Sequence, residues 1–224
     1  QAVASGAERV VVATDDQRVA DAVSAEGGQA VLTRADCACG SDRLAEAAAQ
    51  LGLEDGRVVV NVQGDEPFID PALIREVAEA LLAAPELGMA TAAHALTRWE
   101  ELFDPNVVKV VRDRRGNALY FSRAPIPWMR EPLGHRFPED GPPTGEVPPG
   151  LLVHVGLYAY RREFLDRYTG WDPTPLEELE ALEQLRVLEH GEPIRVIESD
   201  HPVGLGVDTP EDLEQARRRL EDRP

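Results

Sequence analysis

The sequence is poor in cysteine, which argues against stabilisation by disulfides and indicates the redox compartment of the protein. Its 224 residues include two cysteines, Cys37 and Cys39, too few for a disulfide framework and consistent with a reducing compartment. Two neighbouring thiols also lack the further ligands that a structural zinc site needs. No apolar run reaches membrane-spanning length and no signal peptide is visible, so we expect a soluble, cytoplasmic protein.

Basic and aromatic residues are also scarce. The net charge is −18, and Lys109 is the only lysine among 23 basic residues, which argues against a broad nucleic-acid surface. A nucleotide bound locally by arginine and a metal ion is still compatible with this charge. Hydrophobic residues make up 43% of the chain and aromatic residues 5%, so the core must be mostly Val, Leu and Ala. This composition favours α/β layers over an aromatic-rich β-sandwich.

Strand and helix patterns alternate in the first half of the chain. Strands are predicted at 10–14, 30–33 and 58–62, and helices at 16–25, 41–51 and 71–83. This βαβα order predicts right-handed crossovers and a mostly parallel sheet.

The second half is richer in strands. Strands are predicted at 89–96, 107–112, 118–121, 153–160 and 194–198, and helices at 162–168, 175–190 and 210–223. Residues 131–150, rich in Pro and Gly, predict a mobile surface loop. The whole pattern indicates one Rossmann-like domain, 1–224, with a β-rich excursion at 89–160.

An apolar strand that ends in acidic residues is the most informative segment. A continuous Val run precedes Gln63, Asp65 and Glu66, and predicts a strand buried on both faces. Ligands of parallel sheets bind beyond the carboxyl ends of the strands, and paired carboxylates there suit Mg²⁺ with substrate phosphates. The alternative is that both acids are solvated loop residues.

A second acidic turn at 206–212 strengthens the metal hypothesis. Thr209 is predicted to be the N-cap of the last helix, with Pro210 at its first position. Asp208 lies just before this cap and has no obvious capping role.

The segment between the second strand and second helix is a candidate binding loop. Gly40 or Ser41 can supply the helix cap, and the free amides of the first turn favour a phosphate or a base carbonyl. Arg34 and Arg43 would add charge-assisted contacts. The alternative is an ordinary capped βα loop.

Two arginines flank a stiff double-proline turn. Arg123 and Arg130 are carried on a rigid support, as recognition of a substrate carboxylate requires. Further along, His154, Gly156 and Tyr158 share one strand face, which indicates either a sugar-hydroxyl contact or a structural histidine.

The predicted helix 175–190 carries polar residues beside a leucine stripe. Glu180, Glu183 and Gln184 stand one turn apart on the same side. Periodicity does not distinguish an acid that enters a site from one on a solvated face.

Several sequence blocks occur in a fixed order along nearly the whole chain: TRAD with GSDRLAE, VNVQGDEP, ALYFSRAPIPW, HVGLYAYR, PLEELEALEQLRVLEHGEPI and GVDTPEDLE. Together they resemble the 3-deoxy-D-manno-octulosonate (Kdo) cytidylyltransferases, also called CMP-Kdo synthetases. The resemblance implies a Rossmann-like nucleotidyltransferase fold in a cytoplasmic homodimer, with the β-rich excursion serving dimerisation. It also implies CTP and Kdo as substrates, Mg²⁺ as cofactor, and CMP-Kdo for lipopolysaccharide as product.

The resemblance also assigns residues. Asp65 and Asp208 match the Mg²⁺ ligands, and Arg34–Arg43, with Gly40 and Ser41, resembles the part that holds cytosine and ribose. The sugar-acid pocket is matched by Gln63, Arg123, Arg130, His154, Tyr158, Glu183 and Gln184.

Two features depart from the family pattern. Cys39 stands where the family usually carries a serine, and a thiol is a weaker hydrogen-bonding group. Family members also open with a strand and a basic loop that cradles the triphosphate. The present sequence starts at Gln1, in what looks like the tail of a helix, so we expect preceding residues to be missing. A protein that truly starts there is expected to bind CTP poorly.

Two alternative functions follow from these features. One is a cytidylyltransferase for another acidic sugar, with the loop 131–150 reshaping the acceptor pocket. The other is a non-catalytic nucleotide-sugar-binding homologue, which the absent basic loop and Cys39 would favour.

Overall fold

The computed structural model describes residues 1–37, 39–134, 143–201, 206–207 and 209–221. The strands are β1 (Val11–Thr14), β2 (Gln29–Leu32), β3 (Val58–Asn61), β4 (Met89–Ala95), β5 (Lys109–Arg112), β6 (Ala118–Ser122), β7 (Leu152–Arg161) and β8 (Ile194–Glu198). The helices are α1 (Gln17–Ala25), α2 (Gly40–Gln50), α3 (Pro71–Leu82), α4 (Trp99–Phe103), α5 (Arg130–Leu133), α6 (Arg162–Thr169), α7 (Pro175–Glu180), α8 (Leu185–Glu189) and α9 (Pro210–Glu221). Within the described ranges, no helix is long and apolar enough to cross a bilayer.

The strands form two sheets. Strands β1 and β2 pair in parallel, and a six-stranded sheet has the order β6-β5-β7-β4-β8 with β3 beside β7. The α/β class is confirmed, but the expected mostly parallel sheet needs correction. Strand β7 runs antiparallel to β3, β4 and β5, and β5 is antiparallel to β6, so β1–β2 and β4–β8 are the parallel pairs among the described strands.

Strand β3 is less enclosed than its valines predict. All four of its residues are partly exposed rather than buried on both faces. The reason is that β7 is its single hydrogen-bonded neighbour among the described strands. The valines still pack one face against the apolar residues of α3.

Strand β7 separates two apolar cores. Val155 and Leu157 join the core that α3 covers, whereas Tyr158 and Tyr160 join the core with Phe121 on the opposite face. The pairing of β7 with β4 is interrupted, since Thr91 pairs with Tyr158 and the next residue, Ala92, pairs with Val155. Two residues of β7 are therefore extra, and they form a bulge of the kind that redirects side chains.

The predicted helix 175–190 is broken in the middle. Ala181 ends α7 in the left-handed region at φ 50°, and the amide of Leu182 donates to the carbonyl of Glu177 at 3.2 Å. This bond and the buried Leu182 side chain form a Schellman-type ending. Glu183 and Gln184 therefore lie in the turn before α8, and the prediction that they share a continuous helical face with Glu180 is wrong.

A short helix lies where only a turn was expected. Helix α4 begins with a capping box in which Glu101 closes onto the backbone at Arg98. Its Trp99 indole donates to the carbonyl of Gly145 at 3.0 Å, which ties α4 to the second part of the Pro- and Gly-rich segment. Residues 135–142, the middle of the predicted loop, lie outside the described residues.

The single lysine is enclosed at the start of β5. Lys109 has no exposed surface, and its Nζ donates to the carbonyls of Asp104 at 2.9 Å, Val107 at 2.5 Å and Arg123 at 2.7 Å. Burial lowers the pKa of this ammonium, and the carboxylates of Asp104 and Glu180 oppose that shift. The three donated bonds fasten the loop before β5 to the end of β6.

Replacing Ala181 by glycine should stabilise the protein. Glycine adopts the left-handed region without a Cβ clash, so Ala181→Gly should raise the free energy of unfolding by about 1 kcal/mol. In thermal denaturation this corresponds to a Tm rise of roughly 2–4 °C.

The matched control is Ala83→Gly. Ala83 is exposed and ends α3 at φ −72°, a right-handed conformation, so glycine there should lower stability by roughly 0.5–1 kcal/mol. If both variants are destabilised, the strain assigned to Ala181 is wrong.

Candidate active site

Three elements meet at the carboxyl end of β3. Asn61, the last residue of β3, pairs with Tyr158 beside the bulge of β7. Gly40, the first residue of α2, lies so close that an added Cβ would be 3.7 Å from the Asn61 side-chain amide. The amino end of α2, the end of β3 and the bulge of β7 therefore form one edge of the sheet, where ligands of such folds bind.

A hydrogen bond joins α2 to the turn before α8. Ser41 is completely buried, and its hydroxyl donates to Glu183 Oε2 at 3.1 Å across 142 residues of sequence. The Tyr168 hydroxyl donates to the main-chain carbonyl of Glu183 at 3.0 Å. Ser41, from the predicted nucleotide-binding loop, is therefore in direct contact with Glu183, from the predicted sugar pocket.

Cys39 is the N-cap residue of α2 and lies close to the same glutamate. Its side chain makes no N-cap hydrogen bond by the usual geometric criteria. Burial, with a smaller contribution from Glu183, raises the pKa of this thiol to about 11. Cys39 is therefore a neutral thiol near pH 7.

His154 and Tyr158 face each other in the larger core. Their ring centroids are 5.3 Å apart, and the centroid of the Phe121 ring lies 4.9 Å from that of the imidazole in a T-shaped arrangement. Burial lowers the pKa of His154 to about 3 and raises that of Tyr158 well above its ordinary value. Both side chains are therefore neutral hydrogen-bonding groups at physiological pH.

Gln63 and Asp65 occupy the turn that follows β3. The Gln63 amide makes a long contact of 3.5 Å with the carbonyl of Gly156 at the bulge. The carbonyl of Asp65 accepts the amide of Val207 at 2.8 Å, which fastens the segment before α9 to this turn. Asp208 follows Val207 in the sequence and lies outside the described residues.

Arg123 is held at every polar atom of its main chain and guanidinium. Its amide donates to Glu180 Oε2 at 2.9 Å, and its carbonyl accepts from Lys109. The guanidinium donates to the carbonyls of Glu180 at 2.7 Å, Ala181 at 3.3 Å and Pro105 at 2.9 Å. These three bonds use three of its five N–H donors, so one remains on each terminal nitrogen.

Gln184 carries an unsatisfied donor. The residue is 2% exposed, and its side-chain nitrogen has no hydrogen-bond partner among the described residues. An unpaired buried amide costs about 1–3 kcal/mol, so such groups call for an explanation. A ligand that accepts a hydrogen bond at this position would supply one.

The described side-chain contacts of the remaining predicted arginines are with residues outside this cluster. Arg34 is exposed and pairs with Glu46, with Nε 3.1 Å from Oε2. Arg43 donates to the Thr33 hydroxyl at 2.6 Å and forms an ion pair with Asp15. Arg130 is exposed at the start of α5, and no described contact joins it to the other predicted residues.

The donor set suits a hard cation. The described residues contain no group of three or more His, Cys, Asp or Glu able to hold a metal ion. Asp65, half-buried in the turn after β3, offers a carboxylate of the kind that binds Mg²⁺ together with substrate oxygens. The chemistry of this residue therefore fits the expected metal, with the second predicted ligand outside the described residues.

Three residues near the site were not assigned to it from the sequence. Glu180 accepts from the Ser122 hydroxyl at 2.6 Å and fixes the start of the arginine turn. Thr91 contacts His154, and Lys109 binds the carbonyl of Arg123. A lone lysine in the apolar sequence of β5 could have indicated a buried, hydrogen-bonded ammonium, whereas nothing in the sequence around Thr91 marks that residue.

Comparison with solved structures defines the class of protein. A structure of CMP:2-keto-3-deoxy-manno-octonic acid synthetase complexed with CTP matches with a TM-score of 0.83 and 38% identity, covering 98% of this chain and 85% of that chain. A nucleotidyl transferase from Methanothermobacter matches at 15% identity and a TM-score of 0.52, covering 99% and 78% of the two chains, and supports the fold alone. The fold is that of a nucleotidyltransferase.

Sequence comparison gives the family. The cytidylyltransferase family pattern matches residues 1–194. A 3-deoxy-manno-octulosonate cytidylyltransferase from Verminephrobacter eiseniae is 55% identical over 226 residues, which covers 98% of this chain and 82% of that relative. The chain belongs to the cytidylyltransferase family.

The lowered pKa of His154 predicts a pH dependence of stability. Its pKa falls from 6.5 in the unfolded chain to about 3 in the fold, so the unfolded state binds the extra proton between these values. The free energy of unfolding should therefore fall as pH decreases below 6.5, by about 1.4 kcal/mol per pH unit from this residue.

Urea denaturation of the wild type and His154→Gln between pH 8 and 5 tests this. At pH 8 the imidazole is neutral in both states, so the difference between the proteins there measures the loss of its packing and of its hydrogen bond to Thr91. The variant should lose less stability on acidification than the wild type. Parallel curves over the whole range would show that His154 does not change its protonation on unfolding.

Proposed function

We propose that this protein transfers CMP from CTP to Kdo. The anomeric hydroxyl oxygen of Kdo attacks the α-phosphorus of CTP, and a new P–O bond forms. The bond from the α-phosphorus to the β-phosphate oxygen breaks, pyrophosphate leaves, and the hydroxyl proton passes to solvent or the leaving group. No protein nucleophile is needed, so the protein contributes by binding, orientation and charge.

The Ser41–Glu183 hydrogen bond is the observation that carries this proposal. It places the amino end of α2, where the nucleotide is expected, against the turn that holds Gln184. Two substrates bound on either side of this contact would meet beside the end of β3. The 55% identity to a 3-deoxy-manno-octulosonate cytidylyltransferase supports Kdo as the acceptor.

The nucleotide side is built from α2. This helix is 11 residues long, and the free amides of its first turn, around Gly40 and Ser41, favour a base carbonyl or ribose oxygen. Arg34 and Arg43 flank this turn and are already paired with acidic residues, so they would act through the charge of the loop. This assignment rests on the similarity to a synthetase solved with CTP.

The sugar side combines neutral groups with limited positive charge. Gln184 offers a buried amide donor, and Arg123 retains two N–H donors for the carboxylate of the sugar acid. His154, Tyr158 and Gln63 line the bulge of β7 and suit hydroxyl groups. Arg130, exposed and without a fixed partner in the described parts of the chain, would join on substrate binding.

Asp65 and Asp208 are proposed to hold a divalent ion, Mg²⁺ in this proposal. The hydrogen bond from Val207 to Asp65 supports this pairing, because it fastens the chain one residue before Asp208 to the turn that carries Asp65. When bound, the ion would offset charge that develops on the α-phosphate. The two carboxylates would hold the ion beside the substrates.

Three broader proposals accompany this function. The free thiols of Cys37 and Cys39 support a cytoplasmic setting. We also propose a homodimer assembled through the β-rich excursion, 89–160, and a single domain over 1–224. Light scattering of the purified protein would test the dimer.

Removal of either proposed ligand should abolish turnover. Asp65→Asn and Asp208→Asn, made in the full-length protein, should each lower pyrophosphate release with CTP, Kdo and Mg²⁺ by about 1,000-fold, because loss of a ligand removes several kcal/mol of charge stabilisation. Thermal denaturation should show that both variants fold.

Asp55→Asn is the matched control, since Asp55 is an exposed loop aspartate outside this cluster. It should keep the wild-type rate. Near-normal turnover in either ligand variant would contradict the metal assignment, and faster turnover with a different acidic sugar would contradict Kdo as the acceptor.

A further inference from the structure

Thr91 makes an unusual set of contacts for a buried strand residue. It is fully buried in β4, and its Oγ1 lies 3.0 Å from His154 Nε2, 2.8 Å from the carbonyl of Leu157 and 3.2 Å from that of Val155. The bulge explains this reach. Because the pairing of β4 jumps from Tyr158 to Val155 on β7, the carbonyls of Val155 and Leu157 both approach one hydroxyl.

Hydrogen-bond accounting fixes the protonation of the imidazole. A hydroxyl has one hydrogen to donate, and carbonyl oxygens only accept. The Thr91 hydrogen must therefore go to one of the two carbonyls, and His154 Nε2 must donate its own hydrogen to Oγ1. If the Thr91 hydroxyl instead donated to His154 Nε2, the lone pairs of Oγ1 would face two carbonyl oxygens within 3.2 Å. A neutral imidazole protonated at Nε2 has an unprotonated Nδ1, which is an acceptor.

We propose that Thr91 is a positioning residue of the sugar pocket, which holds His154 in its Nε2–H tautomer and so makes Nδ1 an acceptor for a substrate hydroxyl. This inference rests on the proposed function, which assigns His154 to that pocket. It adds the source of the tautomer and the type of group that the imidazole selects.

The surroundings of the ring support a fixed orientation. Phe121 and the imidazole form a T-shaped pair with an interplanar angle of 76°, and the ring of Tyr158 also packs against the imidazole. These ring contacts hold the plane of the imidazole, and a 180° flip within that plane would put a carbon in place of Nε2 and lose the bond to Thr91. Burial keeps the pKa of His154 at about 3, so the ring is uncharged at pH 7 and favours a hydroxyl donor over a carboxylate.

The first experiment reads the tautomer directly. In protein labelled with ¹⁵N-histidine, long-range ¹H–¹⁵N correlation spectra at pH 7.5 distinguish a protonated from an unprotonated ring nitrogen. His154→Gln assigns the signal among the five histidines. We expect wild type to show protonated Nε2 and unprotonated Nδ1, Thr91→Val to lose this single state, and Thr91→Ser to retain it.

The second experiment measures steady-state kinetics with CTP and Kdo. Loss of a fixed acceptor should raise KM for Kdo by about three- to tenfold in Thr91→Val, with KM for CTP unchanged. Thr91→Ser should restore the wild-type value. Thr169→Val is the matched control, because it removes a hydroxyl that donates to the carbonyl of Leu165 in α6. It should change neither the tautomer nor the KM for Kdo.

The outcomes separate this proposal from the function on which it rests. A wild-type signal with protonated Nδ1, or one that Thr91→Val leaves unchanged, would overturn the positioning role whatever the activity. A changed tautomer with an unchanged KM for Kdo would overturn the selection of a hydroxyl. Absence of CMP transfer by the wild type would instead contradict the proposed function, and the spectra would still decide the tautomer.

Discussion

The site depends on the interruption of pairing between β4 and β7. The two extra residues bring the carbonyls of Val155 and Leu157 to the Thr91 hydroxyl, and the carbonyl of Gly156 makes a longer contact with the Gln63 amide. This bulge thus brings together β4, the turn after β3 and the imidazole of His154. A bulge uses its unpaired backbone to organise polar side chains, and this suits a pocket for a hydroxyl-rich ligand.

Much of the fold could be predicted from periodicity and capping residues. The bounds of α2 and α3 fall within one residue of the predictions, and Asp70 caps α3 as its position before Pro71 suggests. Sheet direction was harder to predict, because a run of valines looks the same in a parallel and an antiparallel strand. The break at Ala181 was also invisible, since alanine favours continuation of a helix and the left-handed turn is imposed by tertiary packing.

The candidate site was predictable in its residue types but not in its connections. Family resemblance pointed to Glu183 and His154, yet their partners Ser41 and Thr91 are distant in sequence and carry no periodic signal. Arg123 shows the same limit. Its rigid support was expected, whereas its use of carbonyl groups on two other segments depends on how those segments fold together. Hydrogen-bond networks of this kind form only when the sheet and helices are in place.

The enclosure of Lys109 has a chemical consequence beyond its structural role. Acylating and alkylating reagents that attack primary amines require a free, solvent-accessible lone pair, and the only ε-amine of this sequence has no exposed surface and three carbonyl partners. In the folded chain this amine is shielded from acetylation, glycation and ubiquitin attachment. The same reagents would gain access when the loop before β5 separates from the end of β6, so labelling of this one side chain would report that opening.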